Sequence, residues 1–95
     1  MAIDFGVYSS VNEHWGELMP IMACEEMGEL TQAISKFERH CKLDDNFSEA
    51  KGLYRRGIIE EMADVWIACA ALANRYNITA AEVGERIWQK MDKKY

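Results

Sequence analysis

Glu25-Glu26-Met27-Gly28-Glu29-Leu30, echoed by Glu60-Glu61-Met62-Ala63-Asp64-Val65, decides how this chain is read. Both stretches lie inside helical patterns. Side chains three or four apart share a helix face, so Glu26 and Glu29 point one way from the first segment, and Glu61 and Asp64 share a face on the second. Each pair also lies on an apolar stripe: Met22, Glu26, Glu29, Leu30, Ala33 and Phe37 in one, Ile58, Glu61, Asp64, Val65, Ala68 and Leu72 in the other. An ionised carboxylate turned toward a core without a partner costs several kcal/mol. Two helices packed antiparallel along these stripes bring four such groups together, and a divalent cation is the natural compensation.

Outward from the motifs the helical signals continue. A short helix is expected from about Val7 to Glu17, with Ser9 or Ser10 as cap, Val11, Trp15 and Leu18 as its apolar edge and Gly16 weakening its end. Pro20 suits the first turn of the helix carrying the first motif. From Lys42 to Phe47 the composition turns to Asp and Asn, a turn signal. Ser48 opens the next helix, whose first half contains Gly52 and Gly57 and is expected to be weak or kinked. Asn77 suits a left-handed terminal residue. Thr79 with Glu82 three residues on forms a capping box for a last helix, with Val83, Ile87, Trp88 and Met91 as its buried edge. Strand-like alternation, internal repeats and linkers are absent. The fold class expected is all-α, an antiparallel bundle of about four helices forming one domain over residues 1–95.

Composition bounds the function. The chain has 95 residues, 49% of them hydrophobic and 28% charged, which reads as one soluble, globular domain with a modest core that oligomerisation would help. No apolar run approaches the roughly 20 residues of a membrane span. The N-terminus lacks the basic and apolar regions of a secretory signal, so the cytoplasm is the expected compartment. A net charge of −5 argues against a surface for nucleic-acid polymers, which neutralise phosphates with clustered Lys and Arg, but not against a nucleotide carried with a metal. Cys24, Cys41 and Cys69 show no C-x-x-C spacing and are read as core or partly buried residues.

Carboxylates alone are the hard oxygen donors that Mg²⁺, Mn²⁺ or Ca²⁺ prefer, with water and phosphate oxygens completing the shell. A di-iron bundle usually adds Glu-x-x-His, and neither His14 nor His40 follows a Glu at that spacing. Zinc lacks a His/Cys cluster. A hard-ion site with open positions points to phosphate chemistry.

The doubled motif, Glu25-Glu26-x-x-Glu29-Leu30 followed by Glu60-Glu61-x-Ala63-Asp64-Val65, resembles the MazG-like nucleotide pyrophosphohydrolases of the all-α NTP pyrophosphatase superfamily. The resemblance runs from about Trp15 to Lys93. It implies Mg²⁺-dependent hydrolysis of a nucleoside triphosphate between the α and β phosphates, with Mn²⁺ as a possible substitute for Mg²⁺. Position by position, it implies Glu26, Glu29, Glu61 and Asp64 as metal ligands. Glu25 and Glu60 are then candidates for orienting or deprotonating the attacking water or for a second metal, against their plain reading as exposed acids. Lys36, two turns after Glu29, matches a phosphate-binding lysine, against its reading as a snorkelling surface residue. Lys90 and Lys93 match the family's basic ending, which there continues with an Asn and an Arg, whereas this sequence stops at Tyr95. The segment between the motifs is long for the family. Trp15 and Tyr54 are candidates to stack on a base, against a core or interface role.

A homodimer or homotetramer is the expected assembly, since a small bundle with three tryptophans has apolar surface to cover. Two other functions fit the same residues. One is phosphoribosyl-ATP pyrophosphohydrolysis, which cleaves the same kind of bond; the other is a non-catalytic helical module using its acids for a structural cation or a basic partner.

Overall fold

The computed structural model describes residues 5–42 and 48–95. Among these residues every regular element is a helix. A 3-10 turn at Phe5–Tyr8 leads into α1, Ser9–Trp15, and a second at Gly16–Leu18 leads into α2, Met19–Lys42; α3 spans Ser48–Arg75 and α4 spans Ala80–Lys94. The expected turn at Lys42 to Phe47 falls largely outside the described residues.

Several boundaries have a local cause, although α1 is preceded by Tyr8 with no side-chain cap, and is not capped by Ser9 or Ser10. Gly16 closes α1 by donating its N–H to the Asn12 carbonyl, at φ 55° and ψ −129°, a conformation open to glycine and rarely to other residues. A Cβ there would meet nothing within 4 Å, so the demand for glycine comes from the backbone and not from crowding. Pro20 sits in the first turn of α2, where its missing N–H is not needed. At the other end of α3, Asn77 adopts φ 56°, Ile78 N–H reaches the Ala73 carbonyl at 2.8 Å and Asn77 N–H reaches Asn74 at 3.3 Å. That is a Schellman closure with Asn in the left-handed position. The capping box of α4 is complete: Thr79 Oγ1 accepts from the Glu82 N–H at 3.1 Å, and Glu82 Oε1 accepts from the Thr79 N–H at 3.1 Å. The hydrogen bonds from the Thr79 backbone and hydroxyl hold the Glu82 carboxyl below its ordinary pKa.

α3 runs without interruption through Gly52 and Gly57, so the weak or kinked start expected there does not materialise as a break. Each glycine costs about 1 kcal/mol against alanine; in a long helix packed along its length that is outweighed by tertiary contact.

α2 and α3 are antiparallel: Met19 lies with Ala68 and Ala71, Glu26 with Asp64, and Lys36 with Tyr54. The buried cluster is Met19, Ala23, Ala68 and Ala71, with Tyr8, Val11 and Leu72 packed against it. Small side chains at this seam let the helix backbones approach closely. The inward stripes largely follow the sequence pattern, since Met22, Leu30, Ala33, Phe37, Ile58, Val65 and Leu72 are all at least half-sheltered and Ala68 is buried.

Two expectations are corrected. Val83, Ile87, Trp88 and Met91 do not form a buried edge: α4 contributes no buried residue, and Trp88 is 74% exposed. The turn after α3 carries α4 off the α2–α3 pair, so the packed unit within one chain is α1, α2 and α3. Nor are Cys24 and Cys69 core residues, since both are exposed. Each follows a buried alanine, Ala23 or Ala68, and so stands about 100° around the helix from the seam; the side chain of Cys41 lies outside the described ones.

α3 has apolar side chains on two opposite faces. Beyond the seam with α2 it presents Ile59, Met62 and Trp66 to solvent, Trp66 at 67% exposure. The radius of gyration is 16.4 Å, against about 12 Å for a compact domain of this length. No described helix is long and apolar enough to cross a membrane.

The alanine seam gives a direct test. Ala71 is fully buried, so Ala71→Leu should overpack the α1–α2–α3 junction and cost about 1–3 kcal/mol, read as a lower urea midpoint; an unchanged midpoint would mean the helices are not in close contact there.

Candidate active site

Glu26, Glu29 and Glu61 each offer a carboxylate oxygen within 4.8 Å of the others. The register of the antiparallel pair produces this. Glu26 and Glu29 are one turn apart on α2, and Glu61 faces them from α3. One oxygen of Glu26 and one of Glu61, Oε2 in each case, are buried without a hydrogen-bond partner. Such orphaned acceptors are costly unless something donates to or coordinates them.

The electrostatics agree. Burial raises the Glu26 carboxyl above its ordinary pKa, and the charges of Glu29, Asp64 and Glu61 raise it further. Glu61 is raised by burial, then by Glu29 and Asp64, with a smaller push from Glu60. Both also share hydrogen bonding with the Glu29 carboxyl. Hard oxygen donors that repel one another are the donor set a divalent ion satisfies. The residues present therefore fit a hard metal, with Glu26, Glu29 and Glu61 as the converging ligands and Asp64 beside them.

Two hollows flank the carboxylates. One, of about 140 Å³, is lined by Val11, Trp15, Met19, Met22, Glu26, Asp64, Ile67 and Ala68. The other is wider, about 530 Å³, and is lined by Glu29, Gln32, Ala33, Lys36, Leu53, Tyr54, Gly57 and Glu61. The cluster thus separates an apolar, aromatic lobe from a polar lobe with a lysine.

The sequence-derived candidates distribute accordingly. Lys36 and Tyr54 stand in the polar lobe with Glu29 and Glu61; Tyr54 stacks on His40 with ring centroids 5.2 Å apart and planes 9° from parallel. Trp15 stands in the apolar lobe, with the His14 ring edge-on at 4.9 Å. Glu25 and Glu60 are exposed and belong to neither the triplet nor a hollow. Lys90 and Lys93 are exposed on α4 and line neither hollow. Arg39, Arg55 and Arg56 are exposed. Sequence reasoning missed Ile67 as a lining residue, though it falls three after Asp64 on the same face. It also missed Asn12, three before Trp15, whose amide bonds to α3.

In the metal-free protein the raised carboxyls set a pH dependence with a definite sign. A group whose folded pKa lies above its unfolded value binds more protons when folded, so its contribution is intact at and below about pH 4.5 and is lost as pH rises through the raised pKa. In chelator, Glu26→Gln should therefore melt at a higher temperature than the parent chain, by a margin that widens as pH is raised from 4.5. With saturating Mg²⁺ the order should reverse at neutral pH, because binding needs ionised ligands. A margin that shrinks with rising pH would contradict the electrostatic assignment.

No match is found to a curated protein or to a solved structure. The family model of the MazG nucleotide pyrophosphohydrolase domain matches residues 16–95, a span that includes both acidic motifs and most of the residues lining the two hollows. With its paired acids meeting across two antiparallel helices and its sequence matched from Gly16 to Tyr95, the chain belongs to the MazG nucleotide pyrophosphohydrolase family.

Proposed function

We propose that the chain hydrolyses nucleoside triphosphates, ribo- or deoxyribo-, between the α and β phosphates to a monophosphate and pyrophosphate, with Mg²⁺ as cofactor and Mn²⁺ as a substitute. The observation that carries this reading is the convergence of Glu26, Glu29 and Glu61 with two orphaned oxygens in a member of this family. When bound, a hard divalent ion neutralises phosphate charge and lowers the pKa of a coordinated water. Glu26, Glu29, Glu61 and Asp64 hold it. Glu25 and Glu60, adjacent in sequence to two of those ligands, orient the attacking water or take its proton.

The two lobes give the substrate a direction. Lys36 is the one cation lining either hollow among the described residues, and its ammonium suits the β and γ phosphates as a point charge, stabilising the departing pyrophosphate. The base, planar and apolar on its faces, goes to the Trp15 lobe, where stacking is worth about 1–3 kcal/mol. Tyr54 is stacked on His40 in the phosphate lobe, so Trp15 is the aromatic assigned to the base.

A second copy of the chain covers the apolar stripes of α3 and α4 in this proposal, as a homodimer or a homotetramer built from it. What supports it is the two-faced character of α3, the exposed edge of α4 and the extended shape of one chain. Lys90 and Lys93 would then meet phosphate only in the assembly. Light scattering should give at least twice the 10.9 kDa chain mass, and Trp66→Glu should lower it; a monomer at micromolar concentration would contradict the proposed assembly.

Incubated with the common NTPs and dNTPs plus Mg²⁺ and followed by ³¹P NMR, the protein should yield pyrophosphate and monophosphate. Glu29→Gln should lower turnover roughly 100-fold or more, since even residues behind metal ligands cost 10–100-fold when removed, while leaving the chelated fold as stable or more so. Orthophosphate alone, or no turnover of any nucleotide, would overturn the assignment.

A further inference from the structure

We infer that Asn12 and Arg75 are positioning residues that clamp the Trp15 wall of the apolar lobe, so that base binding by this chain depends on them; the inference rests on the pyrophosphohydrolase reading for its substrate. Asn12 Nδ2 donates to the Ala71 carbonyl at 2.7 Å and to Asn74 Oδ1 at 3.1 Å. Arg75 Nη1 donates to the Gly16 carbonyl at 2.7 Å, and the Gly16 N–H returns to the Asn12 carbonyl. Trp15 is thus bracketed on both sides by bonds to the last turns of α3, from residues about 60 positions away in sequence.

These bonds act beside the packing of Val11 against the buried cluster in orienting α1. α1 has seven residues, none of them buried, and a helix that short does not hold itself together in water. The bonds are also poor sources of stability. Asn12 Oδ1 is buried with no partner, which offsets what its amide N–H groups gain. The Arg75 bond is exposed and competes with water. Gly16 holds a backbone conformation that other residues rarely adopt. What the set fixes is the direction of one indole. Both Asn12 and Trp15 precede the family-matched residues, which begin at Gly16, whereas the floor of the lobe, Met19, Met22, Ile67 and Ala68, lies within them. The wall is tied to that floor through Ala71, Asn74 and Arg75.

A wall that contacts the base equally in ground and transition states affects KM and not kcat. Arg75→Ala and Asn12→Ala should each raise KM for nucleoside triphosphates at least tenfold with kcat held within about twofold. Inhibition by inorganic tripolyphosphate, which has no base, should stay within twofold. Arg75→Lys should recover most of the loss, because an ammonium can still donate to the Gly16 carbonyl. Equal losses toward nucleotide and tripolyphosphate, or no loss toward either, would overturn the clamp.

A readout independent of turnover separates this from the activity itself. In full-length protein labelled with 5-fluorotryptophan, the Trp15 resonance, assigned with Trp15→Phe, should sharpen in Arg75→Ala and Asn12→Ala as the indole gains freedom, and not in Arg75→Lys. It should shift with the α,β-methylene forms of ATP or CTP plus Mg²⁺ and not with tripolyphosphate. An unsharpened line in both alanine variants rejects the clamp even in an active enzyme. Loss of turnover and binding in the parent chain, with the sharpening intact, rejects the pyrophosphohydrolase reading and the base assignment while leaving Asn12 and Arg75 as the residues that hold Trp15.

Discussion

Like charges held together at the edge of an apolar seam repel one another more strongly than they would in open water, because less solvent lies between them to screen the interaction. Glu26, Glu29 and Glu61 are in that position, and Asp64 adds its field from one side. The alanines beside them help set the position: Ala23 packs with Ala68 and Ala71 in the seam, and that register brings the acids one or two turns along together. Close packing of small residues and crowding of carboxylates are two consequences of one register. A hard cation bound among these carboxylates would relieve that repulsion.

The cluster also lies between two hollows of the α2–α3 surface, one holding a tryptophan and the other a lysine. Toward the amino end of α2 the lining is Met19, Met22, Ile67 and Trp15; toward its carboxyl end it is Gln32, Lys36 and Tyr54.

Much of this was legible in the chain itself, for reasons that differ by residue. The acids were found because a three-residue spacing is a helical signal and two copies of it share a register. Thr79 with Glu82, and Asn77 before them, were legible because caps act within a few residues. Asn12 and Arg75 were not, since their partners lie about 60 residues away and no local pattern encodes such a contact. The stripe Val83, Ile87, Trp88 and Met91 reads as a buried edge but is exposed, because a sequence period states that a face is apolar and not that this chain covers it. Cys24 and Cys69 were misplaced because cysteine's usual burial is a weaker guide than one step of helical phase.

The central claim is that the carboxylates converge to hold a hard ion. Crystals grown with Mn²⁺ and measured for its anomalous scattering test this most directly. An anomalous peak bonded to oxygens of Glu26, Glu29 and Glu61, with Asp64 in reach, is the result expected; well-ordered carboxylates with no peak among them at saturating Mn²⁺, or a peak elsewhere on the molecule, would contradict it.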